Sequence, residues 1–336
     1  MSHGPLSVDF VVAKPIGQGE YRYDMLQAMQ SRGSLIGTRK RDGHKVLVHV
    51  GEDDAIRMYS SGMREMDHRL DYIRGEIRLL RLPIGTVLIG ELVVEIASSE
   101  APENCHDAMS YVASFLGSSM DRARDMLSTG IVPRLIVFNV LHMHPPSYVL
   151  SSWPYHRTLR WLRTTFWGGQ YVTAVEEVPG PLSHMRALAS KGDWEGLVLY
   201  EADYQMTWRI GGGVPRPAGC YKLKPILEDD FIVYSDGRRF NEDGSLKDVV
   251  LLQMDPTSAR RTGLRLMSCG RLGSFDSETR AALSRNDWTH KVLQVRFVRR
   301  YSKTGKLREP AFMRFRDDKD SRECIATQSW PDAEFV

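Results

Sequence analysis

The run Val87-Leu88-Ile89-Gly90-Glu91-Leu92-Val93-Val94-Glu95 constrains this chain more than any other stretch. It is apolar almost throughout and is broken only by single acids. That is the pattern of a buried strand that presents a carboxylate. Ser34-Leu35-Ile36-Gly37-Thr38, Val46–Val50, Leu135–Leu141, Leu197–Tyr200 and Cys220–Lys224 read as further strands, with Val46–Val50 returning from a turn at Lys40. Between them, helical spacing covers 21–32 (stopped by Gly33), Arg64–Leu80, 104–127, 155–165 and 182–190, the last ending near Gly192. Strands and helices follow no strict alternation. The expected class is α+β with mixed or antiparallel sheets, not a doubly wound fold.

The pattern changes at Pro225-Ile226-Leu227-Glu228-Asp229-Asp230, a proline and acid cluster read as a seam. Phe231–Tyr234, Val249–Gln253, Leu264–Met267 and Val292–Val298 then read as short strands separated by turns, with a helix at 277–285. About five short strands with an inserted helix predict a small Greek-key β-barrel of the OB-fold kind. A length of 336 residues also favours two domains, expected at 1–228 and 229–336. The first holds 25 Lys/Arg and 25 Asp/Glu, so the +3 excess lies wholly in the second, with 20 against 17. A modestly basic C-terminal part is compatible with a phosphate-backbone partner.

At 42% apolar and 26% charged, without low-complexity tracts, the chain has the composition of a folded protein. It has no run of eighteen apolar residues and no basic-apolar leader at Met1–Pro5, so a soluble, cytoplasmic protein is expected. Cys105, Cys220, Cys269 and Cys324 contain no C-x-x-C pair and read as reduced thiols. His142 and His144 share a strand face, but no third ligand is near them in the sequence.

Chemistry enters with Lys40-Arg41-Asp42-Gly43-His44-Lys45, Gly90-Glu91, Glu195-Gly196 and Lys222-Leu223-Lys224. In that order they supply one lysine at a turn, two carboxylates on separate strands and two cations on another. The set suits a lysine that attacks a nucleotide phosphate beside a divalent metal. A free lysine, with a pKa near about 10.4, is almost wholly protonated at neutral pH and is no nucleophile. Neighbouring cations and partial burial favour the neutral amine. Lys222 and Lys224 alternate and so share a face.

These segments resemble the covalent nucleotidyltransferases, and among them the ATP-dependent DNA ligases of the short, phage or viral type. Lys40–Gly43 is similar to motif I of that family, Ile89–Val93 to motif III and Val137–Leu141 to motif IIIa. Glu195–Leu199 resembles motif IV and Tyr221–Pro225 motif V. Leu307–Lys319 resembles the family's C-terminal signature and is the most specific part; the likeness covers about residues 30–320.

The resemblance implies an adenylation domain followed by an OB-fold barrel, with ATP and Mg²⁺ as cofactors. It implies a monomer that seals 5′-phosphate/3′-hydroxyl nicks in double-stranded DNA, in a host-cell cytoplasm if phage-encoded. Lys40 would be the nucleophile that carries AMP. Glu91 and Glu195 would orient the nucleotide and hold the metal, Phe138 would stack on adenine, and Thr38 would meet the adenine amino group. Lys45, Lys222 and Lys224 would bind phosphate. Arg316 and Lys319, in the R-x-D-K element with Asp318, would orient pyrophosphate. Asp42, Arg57, Arg64 and Arg314 are expected at the nucleic acid.

Two departures stand out: Lys45 replaces the arginine that usually ends motif I, and Tyr59-Ser60-Ser61-Gly62 lacks the Ser-Arg of motif Ia, which leaves Arg57 or Arg64 to substitute. Segment 256–275, with Arg260, Arg261 and Arg265, is the candidate to embrace the duplex. The chain begins about forty residues before Lys40, which predicts no large N-terminal DNA-binding domain, and it lacks the zinc cysteines of NAD-dependent ligases. Alternatives are an RNA ligase, an mRNA-capping guanylyltransferase, and a non-catalytic nick-binding protein.

Overall fold

The computed structural model describes residues 6, 9–17, 22–51, 55–96, 105–144, 149–189, 194–257, 265–285, 291–301 and 304–336. The chain divides into two compact units, Met1–Lys224 and Pro225–Val336.

The first unit opens with β1 (Phe10–Val12), α1 (Tyr23–Ser31), β2 (Leu35–Lys40), β3 (His44–Val50), β4 (Ile56–Ser60), α2 (Asp71–Leu79) and β5 (Val87–Ile96). It continues with α3 (Cys105–Gly117), α4 (Met120–Ser128), β6 (Ile131–His144), β7 (Val149–Ser151), α5 (Tyr155–Thr165) and β8 (Val172–Ala174). α6 (Leu182–Ala189), β9 (Gly196–Glu201), β10 (Trp208–Ile210) and β11 (Cys220–Leu223) complete it.

A six-stranded sheet runs β4-β3-β5-β6-β7, with β8 parallel to β6; a three-stranded sheet runs β11-β9-β2. β1 and β10 pair separately. The period of two sorts the side chains of β5. Leu88, Leu92 and Val94 pack with Ile73 and Ile77 of α2, Phe115 of α3 and Met126 of α4. Val87, Ile89 and Val93 face the other way, and Glu91 falls on their side. In the small sheet, Leu197, Leu199 and Leu223 pack on Leu26 and Met29 of α1 and Leu182 and Met185 of α6. Val198, Tyr200 and Cys220 line the opposite face, against Val93, Ile136 and Tyr155. One face of each sheet thus contributes to a shared cavity.

Several expectations change. Val46–Val50 does not return on Leu35–Lys40. β2 pairs with β9, and β3 pairs with β4 and β5, so residues 41–43 carry the chain from one sheet to the other. Gly43 makes that crossing possible, because a Cβ there would lie 2.2 Å from the Leu92 carbonyl oxygen. The helix expected from Arg64 starts at Asp71, after a single 3₁₀ turn capped by Asp67, whose side chain accepts from the Arg69 amide at 3.0 Å. The helix expected over 104–127 is two, because Ser119 accepts from the Arg122 amide and starts a new one.

The second unit holds β12 (Leu227–Phe240), β13 (Leu246–Met254), β14 (Leu266–Leu272), α7 (Ser277–Arg285), β15 (Val292–Phe297), β16 (Arg299–Arg300), β17 (Leu307–Arg308) and β18 (Ala311–Phe315). The acids read as a seam are in fact strand residues. Asp229 and Asp230 belong to the fourteen-residue β12, so the boundary expected at 228/229 falls inside that strand. The five-stranded antiparallel sheet runs β14-β13-β12-β15-β18. Its edge strands β14 and β18 do not pair with each other among the described residues, so no closed barrel is seen. The edge at β14 meets the chain terminus instead: Ser268 N donates to Glu334 O at 2.7 Å and Val336 N to Leu266 O at 2.9 Å. The C-terminal signature, expected only as a motif, forms β17 and β18. Val233, Leu251, Leu293 and Val295 form the core of this unit.

Candidate active site

Register alone assembles the centre of the site. Thr38 lies opposite Val198, and Val198 opposite Lys222; Lys40 lies opposite Gly196. Directly paired residues share a face, so Thr38, Lys40, Val198 and Lys222 all project toward the cavity. Lys224 follows two residues after Lys222, just beyond the strand end. Gly196 sits abreast of Lys40 with φ +140°, and a Cβ there would meet the Leu223 carbonyl oxygen at 2.3 Å. A side chain at this position would push β9 off β11 and crowd the lysines.

Glu195, 3% exposed, ties these cations together. Its Oε2 accepts a charge-assisted hydrogen bond from Lys40 Nζ, and its Oε1 pairs with Lys224 Nζ at 3.4 Å. Burying a carboxylate is costly unless cations flank it, and here there are two.

The large sheet supplies the opposite wall. Glu91 is opposite Lys45 across β5 and β3. Burial raises the Glu91 carboxyl to about 7; Lys40 pulls it down, while Glu195 and Asp42 push it further up. Burial, together with the charge of Lys14, lowers Lys45 to about 8, although Glu91 opposes this. Between the walls lies a cavity of about 140 Å³ lined by Thr38, Lys40, Lys45, Glu91 and Phe138. That volume is several times the roughly 30 Å³ share of one water, so it has room for a planar ring. The base of the cavity is Tyr200, stacked on Tyr155 at 3.5 Å between ring centroids and 14° between planes. Thr38 Oγ1 donates to Val198 O at 3.2 Å.

The structure therefore brings together Thr38, Lys40, Lys45, Glu91, Phe138, Glu195, Lys222 and Lys224. Asp42, assigned to nucleic acid, is buried beside them. Arg57 lies on β4, and Arg64 is exposed on the loop that follows, where its amide is bonded to Ser60 Oγ at 3.2 Å. Arg314, Arg316 and Lys319 belong to the second unit. Arg314 Nε donates to Gln294 Oε1 at 2.7 Å, and Arg316 and Lys319 are both held by Asp230. Arg260 and Arg261 lie outside the described residues. His142 stacks on Trp153 at 3.9 Å, and among the described residues no three His, Cys, Asp or Glu cluster as metal ligands.

Sequence reading missed Lys14, Tyr155, Tyr200, Met206 and Cys220. Lys14, Tyr200, Met206 and Cys220 line the cavity, and Tyr155 backs it. Burial pushes the Cys220 thiol up to about 12, so it serves as a small apolar wall. The apolar triplet Phe10-Val11-Val12 was the available signal for Lys14. As β1 it pairs with β10, and Ile16 N donates to Cys220 O at 2.8 Å, so this segment crosses the cavity mouth.

No family model and no curated protein matches this chain. Among solved structures, a Lig E DNA ligase studied for DNA binding with a minimal scaffold aligns with a TM-score of 0.61 at 14% identity. The alignment covers 91% of this chain and 99% of that one. The structure named Pmar-Lig_Pre aligns at 0.61 and 17% identity over 92% of this chain and 68% of that chain, and Pmar-Lig_PreS3 at 0.60 and 15% over 91% and 68%. At these identities the likeness is one of fold: this chain has the fold of these DNA ligase structures.

Proposed function

We propose that this protein is an ATP-dependent DNA ligase that joins 5′-phosphate and 3′-hydroxyl ends at nicks in duplex DNA. The observation that carries the reading is Lys40 at the edge of a cavity, abreast of Gly196 and bonded to a buried Glu195 that also pairs with Lys224. A nucleophilic amine, a proton acceptor in contact with it and fixed cations are the parts that phosphoryl transfer to an amine requires.

In the first transfer Lys40 Nζ attacks the ATP α-phosphorus as the bond to the β-phosphate oxygen breaks. The amine proton passes to Glu195, and pyrophosphate leaves. Lys222 and Lys224 stabilise charge on the α-phosphate oxygens. Phe138, Thr38 and the Tyr200 face hold the base. AMP then passes to the 5′-phosphate, and the 3′-hydroxyl displaces it. Glu91 and Glu195 would hold Mg²⁺. Two carboxylates suit an ion that keeps most of its waters and takes phosphate oxygens, and when bound it supplies charge neutralisation on the phosphates. In the second unit, the antiparallel order and the placement of α7 before β15 support an OB-type barrel that tracks the DNA backbone. Arg316 and Lys319 neutralise the departing pyrophosphate.

The test is to incubate the protein with labelled ATP or GTP and then offer nicked DNA or nicked RNA. ATP labelling, loss of label in Lys40→Ala and sealing of DNA are expected. Labelling by GTP alone, or joining of RNA alone, would refute the proposal in favour of a capping enzyme or an RNA ligase.

A further inference from the structure

Lys14 has no role in the transfer described above, yet it lines the same cavity as Lys40, Lys45 and Glu91. Alternation explains how it comes to be there. On β1, Phe10 and Val12 pack with Leu47 of β3 and Ile89 of β5 in one apolar cluster. Strand residues two apart share a face. One such step further along each segment the apolar run ends in charge: Lys14 follows Val12, Lys45 precedes Leu47 and Glu91 follows Ile89. Three separate segments thus deliver a charged side chain to one end of the cluster, and all three border the cavity.

The backbone that carries Lys14 is pinned. Ala13 N donates to Thr207 O at 2.8 Å, Lys14 N to Pro215 O at 3.0 Å and Ile16 N to Cys220 O at 2.8 Å, while Ile16 O accepts from Lys222 N at 3.0 Å. These bonds tie the segment to β11, the strand of Lys222. Lys14 therefore starts from a fixed place at the cavity, although its side chain is exposed.

The other lysines of the site differ from Lys14 and Lys45 in their partners. Glu195 serves Lys40 and Lys224. Among the described residues, no carboxylate forms an ion pair with Lys14 or Lys45. The two ammonium groups feel each other instead: after burial, the charge of Lys14 does most to hold Lys45 below the ordinary lysine range. Like charges brought together from different elements repel unless an anion lies between them. One ammonium is a point charge without the fork of a guanidinium, but two of them on separate segments can hold two oxygens of one phosphate.

Resting on the ligase reading above, we infer that Lys14 and Lys45 form a phosphate-binding pair, in which the N-terminal segment supplies the second cation that the single ammonium at position 45 lacks. The ligand is a phosphate oxyanion, either of the nucleotide triphosphate or of the 5′-phosphate at the nick.

The test compares wild type with Lys14→Ala, Lys14→Arg and Lys14→Glu in two steps measured separately. One readout is the half-saturating ATP concentration for lysine labelling. The other is the half-saturating concentration of nicked DNA when labelled protein passes AMP to the 5′-phosphate. Lys14→Ala should raise one or both concentrations by roughly five- to thirtyfold while maximal rates stay within about threefold of wild type. A rise for ATP alone assigns the pair to the triphosphate, and a rise for the nick alone to the 5′-phosphate. Lys14→Arg should recover most of the loss, and Lys14→Glu should be weaker than Lys14→Ala. Unchanged half-saturation in both steps, a fall in maximal rate alone, or an arginine variant no better than the alanine would overturn the inference. A wild type that takes no label would instead overturn the ligase reading beneath it.

Discussion

Replacing Glu91 by glutamine should stabilise the first unit increasingly as pH rises above 4.5, with the full gain reached beyond about 7. The carboxyl, ordinarily at 4.5, is raised to about 7 in the folded chain, chiefly by burial and despite the attraction of Lys40. A raised carboxyl adds no penalty below its unfolded value. Stability is lost as pH climbs from there through the folded value, because the folded chain must then carry a charge that the unfolded chain carries more easily. The gap corresponds to a ceiling of roughly 3 kcal/mol, and solvent at the cavity mouth trims it to about 2 kcal/mol. Glutamine keeps the shape and never ionises. In urea titrations at pH 8 Glu91→Gln should therefore exceed wild type by about 2 kcal/mol, and at pH 4.5 the two should coincide. Tryptophan fluorescence is a suitable signal, since five of the seven tryptophans (Trp153, Trp161, Trp167, Trp194 and Trp208) belong to the first unit. A variant equal to or weaker than wild type at pH 8 would refute the argument, because it would mean that the surrounding cations already stabilise the charged carboxyl fully.

Two further outcomes are expected. Lysine labelling by ATP should follow a bell in pH, rising near 7 as Glu91 ionises and falling near 8 as Lys45 loses its proton. Lys45→Arg should move only the alkaline limb upward, because a guanidinium stays charged; a limb that does not move would show that Lys45 is not the group responsible. Gly196→Ala should destabilise the first unit by about 2–4 kcal/mol in the same urea assay, since its Cβ would have to displace backbone at Leu223. Wild-type stability in that variant would contradict the packing described.

Much of the centre was legible because strand periodicity and motif order both survive in the primary structure. Glu91 falls on the cavity face by counting alternate residues from Ile89 and Val93, and Lys222 and Lys224 share a face by the same count. Pairing partners are not local properties. Nothing within Leu35–Val50 says that its two strands join different sheets, because β2 finds β9 some 160 positions away. The same limit hid Tyr155 and Tyr200, which read as an ordinary helix start and strand residue until a tertiary contact stacks them. Asp229 and Asp230 read as part of a seam because proline and clustered acids are depleted in strands. Their partners Arg300, Arg316 and Lys319 arrive only from the end of the chain. Helix ends moved where side-chain caps at Asp67 and Ser119 outweighed the apolar pattern.

Lys40 and Glu195 meet across a sequence separation of 155. A contact of such range closes only after most of the unit's topology is laid down, and non-local pairings of this kind slow folding. On the proposed ligase reading, lysine labelling can therefore serve as a folding clock: in a refolding experiment the adduct should emerge no earlier than the slowest step that restores the first unit's tryptophan signal, since an incomplete chain would have the amine without the carboxylate beside it.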